Sequence, residues 1–184
     1  MSGYYPSDCD ELIPDHDCNP CADTEFGRIR AAAFIKVGFE FLDPTNLAEW
    51  EAAIQNKDVI LIPQTNGELP DPSENEVDGF GDVDTKLLGF EYAAQFNDPN
   101  YKGNCDFYNA IMYAQGKYRF MYKTSSQGHI TQVPVTIIPK QGVENDLNSQ
   151  VLWKVTVKWK HNLHPCPFDF PEDVLECYIP SGGS

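Results

Sequence analysis

Asn104-Cys105-Asp106-Phe107-Tyr108-Asn109-Ala110-Ile111-Met112-Tyr113-Ala114-Gln115-Gly116 runs directly into Lys117-Tyr118-Arg119-Phe120-Met121-Tyr122-Lys123-Thr124. The first part reads as a helix. Asn104 is an N-cap residue, since its side-chain oxygen can accept a free amide of the first turn. Gly116 supplies a left-handed C-cap. Phe107, Ala110, Ile111 and Ala114 share one helical face, and Cys105, Tyr108 and Met112 form a second apolar stripe, so the helix is covered on more than one side. The second part alternates, with Tyr118, Phe120 and Tyr122 on one face and Lys117, Arg119 and Lys123 on the other. Ser125-Ser126-Gln127-Gly128 then turns the chain into a partner strand, His129 to Ile138.

Working outward, Arg28 to Leu42 reads as a long strand with Ile29, Ala31, Ala33, Ile35, Val37, Phe39 and Phe41 on one face. Asp43-Pro44 ends it, and Asn46 caps a short helix with Glu49 at the capping-box position. Val59-Ile60-Leu61-Ile62 is a continuous apolar run that suits a strand buried on both faces. Residues 63–85 read as one long loop, and loops beyond about 12–15 residues are functional or disordered more often than not. Lys86 to Phe96 alternates, and Asn97-Asp98-Pro99-Asn100 turns the chain into the central helix. In Gln150 to Lys160, Val151, Trp153, Val155, Val157 and Trp159 oppose Lys154, Thr156, Lys158 and Lys160, a half-buried strand with a solvated basic face.

The expected fold is therefore α+β. It is mainly an antiparallel sheet of about six strands with two short helices on one side, a β-sandwich with peripheral helices being the alternative. Residues 28–160 form this single domain. Residues 1–27 contain no Lys or Arg, three Pro and three Cys, and read as an extended acidic N-terminal arm. Residues 161–184 hold four Pro and no Lys or Arg, and read as a second extended arm.

A chain of 184 residues suits one sizeable core. Asp+Glu 28 against Lys+Arg 13 gives a net charge of −15. That balance argues against specific nucleic-acid binding, which needs a basic patch, and against docking on anionic membranes. No apolar run is long enough to span a bilayer, and the first residues lack the basic start and apolar core of a secretory signal. The expectation is synthesis in a cytoplasm, where cysteines are thiols or metal ligands rather than disulfides.

Cys18-Asn19-Pro20-Cys21 is a Cys-x-x-Cys step, and the second arm supplies His161, His164 and Cys166. Cys18, Cys21, His164 and Cys166 together make a tetrahedral ligand set for a structural zinc that ties the two arms. A lone Cys-x-x-Cys is a permissive pattern, and the plainer reading of these cysteines is reduced thiols on the arms. Asp78-Gly79-Phe80-Gly81-Asp82-Val83-Asp84 spaces carboxylates that can hold Ca²⁺, or forms a solvated acidic turn. Gly-x-Ser-x-Gly, Gly-x-x-x-x-Gly-Lys and His-Glu-x-x-His are absent, so no catalytic residue or cofactor is expected. The stripe Tyr118, Phe120 and Tyr122 reads as core or as a stacking platform.

Asn46-Leu47-Ala48-Glu49-Trp50, Gly67-Glu68 with Asp78-Gly79-Phe80-Gly81, and Thr85-Lys86-Leu87-Leu88-Gly89 follow in order along the chain. Asp106-Phe107-Tyr108-Asn109, Tyr118-Arg119-Phe120, the Thr-Ser-x-x-Gly turn at 124–128 and Trp153-Lys154-Val155 come after them. In texture and order over residues 28–160 this resembles virion structural proteins of crAss-like tailed phages infecting Bacteroidota. The resemblance implies a non-enzymatic neck or tail ring subunit, or an auxiliary capsid protein, made in the host cytoplasm and located in the virion. It implies a homo-oligomer in contact with portal, tail or capsid proteins, and it carries over no functional residues. A secreted or surface binding module using the aromatic strand face, and a carboxylate- or metal-dependent hydrolase, are the alternative readings.

Overall fold

A computed structural model of the protein describes residues 15–19, 21, 24–81 and 86–176. In chain order the elements are β1 (Ala31–Lys36), α1 (Leu47–Gln55), β2 (Val59–Ile62), β3 (Asn66–Glu68), β4 (Ser73–Val77) and β5 (Lys86–Asp98). They continue with α2 (Cys105–Ile111), β6 (Tyr118–Lys123), β7 (Gln127–Ile130), β8 (Thr136–Gln141), β9 (Trp153–His161), β10 (Phe168–Asp169) and α3 (Asp173–Glu176). The class is α+β, and all strand pairs are antiparallel. The strands form two five-stranded sheets rather than one of about six. The first runs β10-β7-β6-β1-β2. The second runs β3-β5-β9-β8, with β4 pairing along β5 beside β3.

The sheets face each other across an aromatic core. β1 and β6 supply Phe34 and Phe120, β5 supplies Phe96 and Tyr92, and β9 supplies Val155, Val157 and Trp159. Phe96 stacks on Phe120 with centroids 6.1 Å apart and planes 8° from parallel, and Phe34 lies 6.3 Å from Phe96. These contacts join the two sheets directly. The opposite face of the first sheet is also covered. Ala33, Ile35 and Met121 pack there against Trp50 and Ala53 of α1, and against Phe170 and Val174. The order of layers is therefore α1 with the C-terminal segment, first sheet, second sheet, while α2 packs its Tyr108 and Ile111 into the inter-sheet core. Outside the second sheet lie Lys154, Lys158 and Lys160, the solvated basic face that alternation predicts.

Burial on both faces explains where the local reading departs. β1 ends at Lys36, not Leu42. Gly38, at φ 97°, turns the chain back so that Phe39 and Phe41 cover the helix-side cluster. Phe41 meets Trp50 at 4.4 Å. The polar side of β6 is buried, with Arg119 at 8% and Lys123 at 2% exposure. Arg119 donates to the Phe39 carbonyl at 2.7 Å, and Lys123 pairs with Glu172 at 2.8 Å. The run His129 to Ile138 is split between sheets, with β7 in the first and β8 in the second. Between them buried Thr131 accepts from the Phe120 N–H and donates to the Val133 carbonyl, each at 3.0 Å.

Residues 63–85 are not one loop. β3 pairs with Gln95–Asn97, and β4 pairs with the earlier half of β5, so both use the edge that β9 leaves free. Leu69 packs on the inter-sheet core, whereas Phe80 is exposed. α2 is one turn shorter than its apolar pattern, ending at Ile111, and Asn104 makes no side-chain cap. The second arm is not extended away from the body up to Glu176. β10 pairs with β7, Phe170 and Val174 are buried, and the Phe170 N–H donates to the Ser126 carbonyl. The physical reason is that these apolar side chains close the helix-side cluster, which α1 alone leaves open.

Phe170→Ala should therefore lower stability by about 3 kcal/mol in urea unfolding, the typical cost of emptying a buried aromatic site. A loss below about 0.5 kcal/mol, the range of surface substitutions, would show that this segment does not hold the sheet face.

Candidate functional site

A β-sandwich has sheet edges, and open edges attract further strands unless they are protected. Among the described residues, three of the four edges carry protection. β10 has two residues. β8 contains Pro139 and Lys140, a missing donor and a charge. The β3 and β4 edge is short on one side, with Gly67 and Glu68, and on the other is Ser73-Glu74-Asn75-Glu76-Val77, exposed throughout and twice acidic. The fourth edge is β2, Val59-Ile60-Leu61-Ile62, which has neither charge nor proline.

The register fixes which backbone groups β2 offers. The Lys36 N–H donates to the Asp58 carbonyl at 2.8 Å, and the pairing continues Ile35↔Val59, Phe34↔Ile60, Ala33↔Leu61. Hydrogen-bonded and non-bonded pairs alternate along an antiparallel ladder. Val59 and Leu61 therefore turn their N–H and C=O groups away from β1, toward the open edge. Two clefts share Ile60 and Leu61 as walls. One, of about 570 Å³, lies between β2 and the segment Asp98, Pro99, Asn100, Asn104 and Phe107. The other, of about 390 Å³, is bounded by Ile54, Lys57 and Tyr118. The edge is thus an apolar groove with two outward pairs of backbone hydrogen-bonding groups.

The far wall of the larger cleft is built on Asp98, which is 3% exposed. Its carboxylate accepts from the Tyr108 hydroxyl at 2.6 Å, the Asn104 amide at 2.7 Å and the Asn100 N–H at 2.9 Å. Burial first, then the Asp98 hydrogen bond, pushes the Tyr108 phenol far above its ordinary range. The phenol stays protonated, and the network acts as a brace for the β5–α2 turn. Asn104, expected as a cap, serves this brace instead.

The residues singled out in the sequence fall elsewhere. Cys18 and Cys21 are exposed, Cys18 beside the His16 ring at 3.7 Å. His164 packs against Phe90 at 4.5 Å and hydrogen-bonds the Tyr92 hydroxyl. Cys166 is exposed and lies 4.0 Å from the His164 carbonyl. Among the described residues no three His, Cys, Asp or Glu side chains converge as a metal site, so the structure does not bring Cys18, Cys21, His164 and Cys166 together. Of the acidic Asp78–Asp84 stretch, Asp82 and Asp84 lie outside the described residues. Tyr118, Phe120 and Tyr122 pack in the inter-sheet core, so that stripe offers no open platform.

Sequence reasoning missed how residues 24–30 attach to the body. The Glu25 carboxylate accepts from the Thr124 hydroxyl at 2.8 Å, the Ser126 N–H at 2.7 Å and the Ser126 hydroxyl at 3.0 Å. These bonds, the Ser126 N–H foremost, lower its pKa from 4.5 to about 2. Nothing in an acidic stretch marks one carboxylate as the one that meets a turn 100 residues later. No protein-family model, curated protein or solved structure matches this chain.

Two outcomes follow. Alkylation of native protein without chelator should modify Cys18, Cys21, Cys105 and Cys166, all exposed, as read by peptide mass spectrometry. Joint protection of Cys18, Cys21 and Cys166 that a chelator reverses would instead reveal zinc. By NMR titration Glu25 should titrate near 2. Its folded-state pKa is depressed, so its contribution to stability is present above 4.5 and fades as pH falls toward 2. Glu25→Gln should flatten that acid limb.

Proposed function

We propose that this protein is a non-enzymatic structural subunit that assembles by strand addition at the β2 edge. The carrying observation is that, among the described residues, β2 is the one sheet edge that is apolar and unguarded, with outward backbone groups at Val59 and Leu61. Main-chain hydrogen bonds along such an edge supply affinity, and the flanking clefts supply pockets for alternate side chains. A second copy is the natural partner, because an apolar edge left in water invites pairing with its own kind. Placement in a tailed-phage particle, against portal, tail or capsid proteins, rests on the sequence resemblance. The C-terminal segment packs on its own body as far as Glu176, so it lends this reading no support. The β2 edge carries it instead. A net charge of −15 opposes association between copies, so assembly should strengthen with added salt.

Size-exclusion chromatography with light scattering tests the reading. The wild-type chain should form a closed oligomer at moderate salt. Leu61→Lys places a charge in the groove. Leu61→Pro removes an outward N–H without breaking a β1 hydrogen bond. Both should give monomers with an unchanged circular-dichroism spectrum. A wild-type chain that stays monomeric across concentration and salt would overturn the proposal.

A further inference from the structure

A different cleft, of about 410 Å³, gathers positive charge in an acidic protein. Arg28 and Arg30 line it from the segment before β1, Lys123 from the end of β6, and Gln64 and Thr65 from the β2–β3 connection. Three of the chain's 13 Lys and Arg therefore meet in one concavity of a molecule with net charge −15. The one carboxylate in its wall is Glu172, which is held by Lys123 at 2.8 Å. Lys123 also donates to the carbonyls of Thr124 and Ser125 at 3.1 and 2.9 Å, so its ammonium is fully engaged. Arg28 and Arg30 have no side-chain partner among the described residues. The lining thus carries two uncompensated positive charges.

The backbone that presents them is fixed. Ile29 exchanges hydrogen bonds with Gly67, the Arg30 N–H donates to the Lys123 carbonyl, and the Thr65 N–H donates to the Arg30 carbonyl. Ile29 is buried between the two arginines, so on an extended chain Arg28 and Arg30 project to the other side together.

We propose that this cleft is an oxyanion site that takes a phosphate dianion, either as the free ion or as a phosphomonoester. A phosphomonoester carries about −1.5 to −2 at neutral pH, and the free ion reaches the same dianion just above neutrality, which matches the two free guanidiniums. Paired planar guanidiniums are suited to its oxygens through bidentate hydrogen bonds. Gln64 adds a neutral donor at the wall, and Glu172 offsets the charge of Lys123, leaving the two arginines as the cations that face the ion. The site lies on one copy of the chain and does not depend on assembly.

Full-length protein labelled with ¹⁵N tests this. Inorganic phosphate and phosphoserine are titrated separately, against sodium chloride at equal ionic strength, while the Arg28 and Arg30 side-chain Nε–Hε resonances are followed. At least one of the two should give saturating shifts at both arginines that chloride does not. Whichever binds more tightly identifies the free ion or the ester as the source. Arg28→Gln with Arg30→Gln, both exposed positions, should weaken binding by about tenfold or more without altering the circular-dichroism spectrum. Shifts reproduced by chloride, or binding that survives the double substitution, would overturn the site, as would the absence of saturation with both ligands.

Discussion

The structure depends on a sheet that has no free face. β1 and β6 are neighbours in the middle of the first sheet, and their side chains reach two cores at once. Phe34 and Phe120 go inward to meet Phe96 across the sandwich. Ala33, Ile35 and Met121 go outward to meet Trp50, Phe170 and Val174. Together the two cores bury both sides of the same two strands, so the layers cannot separate without opening the centre.

That constraint fixes the polar residues of β6. Arg119 and Lys123 sit on the covered face, and a buried cation needs partners close by. Arg119 finds the Phe39 carbonyl and Glu40, and Lys123 finds Glu172 with two turn carbonyls. Those partners belong to the turn after β1 and to the C-terminal segment. The charges of β6 therefore hold two connections in place, and the C-terminal segment closes the sheet that it crosses. The same closure leaves Arg28 and Arg30 beside Lys123 and makes a basic cleft in an acidic molecule.

The constraint stops at β2. Its inner side chains join the two cores, which requires an apolar strand, and an apolar strand at an edge cannot carry the charges that guard β8 and β4. A requirement of packing and an unguarded edge thus fall on the same four residues. The hydrogen bonds of Asp98 to Tyr108, Asn104 and Asn100 hold the wall that faces β2.

Period-two alternation in Lys86–Phe96, Tyr118–Lys123 and Gln150–Lys160, together with the Asn46 cap before Trp50, sufficed to specify an α+β chain of antiparallel strands with short helices, because side-chain period and capping are local properties of backbone geometry. Val59–Ile62 was legible as a strand apolar on both faces for the same reason, though its place at an edge was not. Pairing across 60 or 100 residues has no local signature. So the division into two sheets, the strands hidden in 63–85, the burial of Arg119 and Lys123 and the docking of Glu25 on Ser126 were decided only by tertiary structure. The basic cleft and the open β2 edge belong to the same class. Both are made of residues that are unremarkable one by one and gain their character from what the fold sets beside them or leaves uncovered.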